Sequence, residues 1–184
     1  MMKRSLLTIA MVLTAGFATS PASAQLGGRL SVMPYVGYGF LGSLPGTDAE
    51  LEADIAFGGR ASYALSPQFA VFGNFQRTTP EVSEGDVGTG ESINLDHWSA
   101  GVEFSYVPRG GAEGMLPILL EAGLGQARYE GGANDIAANI GVASVFQLNP
   151  MFGIRYGAND YISNYNDEGI VNHVYVHVGG ELTF

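Results

Sequence analysis

The chain ends in Asn172–Phe184, NHVYVHVGGELTF. Counting back from Phe184, alternate positions are apolar or small: Leu182, Gly180, Val178, Val176 and Val174. Those between are mostly polar: Thr183, Glu181, Gly179, His177, Tyr175 and His173. A period of two marks a β-strand with one apolar and one polar face. Soluble domains usually fray into solvent at their ends, whereas this one carries its alternation to a terminal aromatic residue.

The same alternation runs upstream. It predicts strands at Leu30–Leu41, Leu51–Leu65, Phe69–Thr78, Ile93–Val107, Leu116–Tyr129, Asp135–Leu148, Met151–Ile162 and Val171–Phe184. That is an even set of eight, each long enough for the ~9–11 tilted residues with which a β-strand crosses a bilayer. Two connections are tight and carry proline, Ser66-Pro67-Gln68 and Asn149-Pro150, and PRGGAEGM (108–115) falls on the same side by parity. Those on the opposite side are mostly longer and acidic: GSLPGTDAE, TPEVSEGDVGTGES, EGGAN and SNYNDEGI. Short turns at one rim and longer loops at the other are the pattern of outer-membrane barrels.

The start of the chain agrees. Lys3 and Arg4 precede an apolar run from Leu6 to Phe17, and Ala22-Ser23-Ala24 supplies a small-residue cleavage site. Residues 1–24 read as a secretory signal peptide, and residues 25–184 as one domain. With no cysteine anywhere, disulfides and thiolate chemistry are excluded. Cleavage would leave 6 basic residues against 18 acidic ones, a net of −12 that repels phosphate and argues against nucleic acid as a partner.

Alternation alone fits both a membrane barrel and a soluble calyx, which differ in which face points outward. Glycine placement favours a polar interior. Gly37, Gly39, Gly58, Gly101, Gly123, Gly125, Gly141, Gly153, Gly157 and Gly179 fall on polar faces, with chiefly Gly59, Gly73 and Gly180 on apolar ones. The bore of an eight-stranded barrel is just wide enough for side chains to fill it, so crowding there favours glycine. The aromatics add to this. Trp98 and Tyr106 share the apolar face of the fourth segment at a separation of ~20 Å along the membrane normal. With Tyr63 and Phe152 they are the expected interfacial girdle, because such rings are apolar on one side and wet on the other.

The last strand, with His177, Gly179, Leu182 and terminal Phe184, resembles the C-terminal recognition strand of outer-membrane barrels. The first, RLSVMPYVGYGFLG (29–42), is similar to the opening strand of the small OmpA/OmpX-type family. The resemblance covers the whole mature chain. It implies an all-β, eight-stranded antiparallel up-and-down transmembrane β-barrel, placed in the bacterial outer membrane by the barrel-assembly machinery. No peptidoglycan-binding domain follows Phe184 in this sequence, so the resemblance implies no cell-wall anchoring.

On the inner faces sit Arg60, Glu103, Glu121, Arg155 and Glu181, each three to five residues from the same end of its segment. Buried charges are tolerated only when paired, so an Arg–Glu network closing the lumen is expected, with His177 available to help balance the odd carboxylate. A wide porin pore is excluded, since open channels belong to barrels of ~16–18 strands.

Other patterns carry less. His173 and His177 lie ~13 Å apart on an extended strand, so they cannot share one metal ion. His97, Ser99 and Glu103 stand in single file on one strand, too stretched for a nucleophile, base and orienting acid. The glycines of EGDVGTGES have no strand-then-helix context for a phosphate loop. Its acids, Glu81, Glu84, Asp86 and Glu91, read as a solvated charge run. No enzyme, cofactor or metal site is expected. The function read from these residues is a structural or interaction barrel with a plugged lumen and acidic outer loops; the alternative is a narrow channel for small solutes or ions, and a third, less favoured reading is an outer-membrane lipid-modifying enzyme.

Overall fold

The structure is a computed structural model describing residues 29–84, 87–107, 116–132 and 134–184. The signal-peptide segment and residues 108–115 lie outside the described residues. In chain order the strands are β1 (Leu30–Phe40), β2 (Ala49–Leu51), β3 (Asp54–Ala64), β4 (Phe69–Thr78), β5 (Glu81–Glu84), β6 (Val87–Ser92), β7 (Leu95–Tyr106), β8 (Ile118–Tyr129), β9 (Asn134–Asn149), β10 (Phe152–Tyr165) and β11 (Gly169–Thr183). Eight of them close into one barrel in the order β1-β11-β10-β9-β8-β7-β4-β3, every pairing antiparallel. β1 and β11 seal the seam, from Ser31 opposite Thr183 to Phe40 opposite Val174. The Phe184 amide adds a last bond to the Leu30 carbonyl at 2.9 Å. Closure leaves the barrel no open edge, the property that lets β-structure exist in lipid.

Apolar residues point outward. Trp98, Val102 and Phe104 of β7 are exposed, as are Val174, Val176, Val178 and Leu182 of β11, while Arg60 and Glu121 are buried inside. The side assignment is that of a membrane barrel, and the soluble-calyx alternative falls. Glycine follows the same division. A Cβ on inward Gly58 would run into the Tyr35 ring and one on Gly39 into Tyr175, whereas outward Gly59 and Gly73 have nothing within 4 Å. The lumen is filled by large side chains that need the missing methyls opposite them.

Three acidic connections depart from the expected loops. Ala49 and Glu50 of the predicted connection and Leu51, the first residue of the predicted second strand, form β2 instead, which joins the β5–β6 hairpin in a three-stranded sheet above the long-loop rim. The stretch expected as a solvated charge run is therefore largely folded, with Glu81 accepting a bond from the Gly90 amide at 3.1 Å. Asp86 lies outside the described residues. The third departure is SNYNDEGI, where β10 and β11 pair up to Tyr165 opposite Gly169. Asn166 and Asp167 turn the chain at φ of 48° and 61°, the left-handed region these two residue types tolerate best.

Candidate functional site

The barrel interior is layered. Nearest the short-turn rim, Glu103 and Glu121 stand directly opposite each other on β7 and β8, a like-charge juxtaposition that is destabilising on its own. Arg60 from β3 and Arg155 from β10 converge on them. Arg60 Nη2 lies 2.7 Å from Glu103 Oε2, and its Nη1 lies 3.0 Å from Glu121 Oε2. Arg155 Nη2 donates to Glu103 Oε2 at 2.5 Å and also to Glu121 Oε1. Its Nη1 reaches Glu181 at 3.5 Å. The planar guanidinium, with donors on both edges, is the group suited to hold several carboxylates at once. Arg155 is 1% exposed, so each of these bonds replaces lost water.

These ion pairs link Arg60, Glu103, Glu121, Arg155 and Glu181 into one connected set. His177 makes no hydrogen bond to these carboxylates among the described residues; its ring lies tilted against Tyr35 at 5.2 Å between centroids. A further bond comes from Asn159, whose Nδ2 donates to Glu121 Oε2 at 3.1 Å. Sequence reading missed this amide. Its signal is opposite Gly141, where a Cβ would fill the space the Asn159 amide occupies. Arg60 also lies over the Phe72 ring, 3.9 Å from its centroid, a cation–π contact invisible to strand-by-strand reading.

A neutral polar layer follows. The Tyr35 hydroxyl donates to Asn74 Oδ1 at 3.0 Å, and Asn74 Nδ2 donates to the Tyr161 hydroxyl at 2.6 Å. Asn139 Nδ2 donates to Ser99 Oγ at 3.2 Å. Above it, at the long-loop side, is a cluster that sequence reading did not find. His97 packs against Tyr161 and His173 with ring centroids 4.4 and 5.4 Å apart, and Tyr129 and His173 share a 2.7 Å hydrogen bond. The histidines that meet are therefore His97 and His173, across the lumen, with His177 lower on β11. His97, Ser99 and Glu103 occupy three separate layers. Among the described residues, no group of three or more side chains is placed to hold a metal ion.

The top layer is apolar. Leu44 and Leu51 descend from the outer connections onto Leu95, Ala127, Ala137 and Tyr129 of the barrel rim, with Leu41, Val82, Ile93 and Tyr165 around them. The proposed girdle residues Trp98, Tyr106 and Tyr63 are exposed on the outer wall, and Phe152 is half-buried beside Gly180.

No protein-family model matches the chain, and no curated protein matches it. Solved structures do. The crystal structure of the outer membrane protein OprG from Pseudomonas aeruginosa superposes with a TM-score of 0.61 at 11% identity, over 87% of this chain and 97% of that one. The solid-state NMR structure of outer membrane protein AlkL in DMPC bilayers gives 0.57 at 12% identity, over 90% and 94%. Neisserial surface protein A gives 0.53 at 12% identity, over 86% and 97%. The fold is that of the small eight-stranded outer-membrane barrels. On the walls of such a barrel, the outward rows of Val, Leu, Ile and Phe face hydrocarbon and the ionised groups fill the bore.

Proposed function

We propose that this chain is a structural or interaction protein of the bacterial outer membrane, a barrel whose lumen is closed and whose acidic outer cap is presented for surface contact. Residues 1–24 would direct export, and the strand carrying His177, Gly179, Leu182 and Phe184 would be read by the assembly machinery. The observation that carries the reading is the layer in which two arginines bind three glutamates from five strands across the bore. A bore already spanned by side chains leaves no continuous aqueous path, and the apolar cluster under the outer sheet supports closure at the second end. The same packing argues against catalysis: Ser99, His97 and Glu103 each face different neighbours, and none has an activating base beside it.

Planar-bilayer recording of the purified protein tests this. The expected trace lacks steady open-channel current. Reproducible unitary conductance would overturn the plug and leave the narrow-channel alternative.

A further inference from the structure

The outer wall itself carries an unassigned feature. Where β3, β4, β7 and β8 adjoin, small outward residues (Gly59, Gly73, Ala100) sink the apolar surface into a groove of about 980 Å³ framed by Phe75, Trp98 and Leu124. Gly73 stands opposite Ala100, and Phe75 opposite Trp98. Two residues further up the same strands and the same face stands a polar pocket of about 430 Å³, holding Arg77, Asp96, Arg128 and Glu130. Arg77 stands opposite Asp96 and Asp96 opposite Arg128 across β4, β7 and β8, so the polar pocket lies about 6.6 Å further along the same wall.

By formal charge the polar pocket is neutral, but its donors and acceptors are unequally used. Asp96 is taken by Arg77, whose Nε and Nη2 donate to its two oxygens at 2.5 and 2.7 Å. Glu130 Oε2 is taken by the Asn94 backbone amide at 3.0 Å and by the Asn94 side-chain amide. Arg128 is exposed, and its side chain makes no hydrogen bond or ion pair among the described residues. Its guanidinium, with five N–H donors, lines the polar pocket two residues beyond Gln126 of the apolar groove, toward the rim that carries the outer sheet. A guanidinium in that position matches an oxyanion, and the groove below it matches an alkyl chain.

We propose that this wall seats a membrane lipid with an anionic, phosphorylated headgroup, in the leaflet on the long-loop side. The headgroup bonds to Arg128 with Arg77 beside it, and one acyl chain lies over Gly73 and Gly59 against Trp98. The proposal rests on the membrane reading above, and the test separates the two.

Trp98 is the only tryptophan in the chain, so bromine on a lipid acyl chain reports contact with the groove directly. The protein would be reconstituted with acyl-brominated phosphatidylglycerol or with acyl-brominated phosphatidylcholine, and Trp98 fluorescence followed against mole fraction. The anionic lipid is expected to reach half-quenching at about one-fifth the mole fraction of the zwitterionic one, the preference that one unpaired arginine supplies near an anionic surface. Arg128→Gln should erase that preference while both lipids still quench. Gly73→Leu, at a position with open space around it, should weaken quenching by both. Equal potency of the two lipids on the parent, or unchanged quenching in Gly73→Leu, would overturn the site. Absence of quenching by either lipid would overturn the membrane reading itself. Because the chain has no cysteine, Gly73→Cys gives one more arm: a disulfide-linked dimer in the bilayer would assign the groove to a second copy and sink the lipid.

Discussion

The two ends of the lumen are filled by opposite chemistry. Near the short turns, two arginines and three glutamates form a connected ionic layer; near the long loops, leucines from the outer sheet rest on a rim of Leu95, Ala127 and Ala137. The ionic layer is made wholly by barrel strands, which are fixed by their register. The apolar layer depends on residues 41–51 and 82–93 folding over the mouth. One layer is therefore part of the wall, and the other packs under a small sheet attached to it. If so, damage to the first should spread through the barrel, and damage to the second should stay local.

The largest effect is expected at Arg155, which touches three carboxylates. Arg155→Ala leaves Glu103 and Glu121 facing each other with only Arg60 between them. Removing one partner from a buried ionic group costs ~3–5 kcal/mol, read as a lowered midpoint in urea unfolding of the lipid-embedded barrel. The companion variant Arg155→Met with Glu103→Gln sharpens the point. It leaves one Arg60–Glu121 pair still supported by Asn159, with only the more accessible Glu181 without its arginine, so it should recover part of the loss. An unchanged midpoint in Arg155→Ala would mean that the layer is hydrated and contributes nothing net.

Leu95→Ala probes the apolar layer. Leu95 is fully buried in the apolar cluster, so the truncation costs about 2–4 kcal/mol where the site cannot collapse. The expected loss is confined to the outer sheet: limited proteolysis within residues 41–92 should accelerate, while the heat-modifiable gel mobility of the barrel stays as in the parent. Loss of the barrel band together with the sheet would show that the sheet and wall fold as one unit.

The same contrast separates what was legible in the amino-acid sequence from what was not. Wall positions follow from period two, which fixes the face of every residue once the register is roughly right. Arg60, Glu103, Glu121, Arg155 and Glu181 could be placed in one layer because all five were counted from one rim, and tight turns at that rim limit slippage. The long-loop side offers no such ruler. There residues 49–50 and 81–92 read as connection or charge run and Leu51 as the start of the second strand, because short strands rich in Glu, Gly and Ser carry no alternation to detect. The His97–His173 contact was hidden for a related reason. Each histidine is unremarkable on its own strand, and only the closed order of the barrel brings β7 and β11 to face each other. Asn159 was passed over because a neutral amide draws no attention until the carboxylate it serves has been located.

The smallest expected effect on stability concerns Phe184, and it separates folding from assembly. Its amide bond to Leu30 is a backbone contact that alanine would keep, and its ring is exposed on the outer wall. Losing a ring that faces hydrocarbon near an interface should change the unfolding free energy by only about 0.5 kcal/mol. If the ring belongs to a recognised C-terminal strand, its contribution falls before the barrel exists, when the machinery must select this end of the chain. Phe184→Ala should therefore lower the amount of folded protein in cell envelopes several-fold at equal synthesis, while the material that does insert unfolds at nearly the parent midpoint. Equal envelope yields would remove the recognition role. A midpoint shift large enough to explain the lost yield would instead make Phe184 an ordinary packing residue of the seam between β1 and β11.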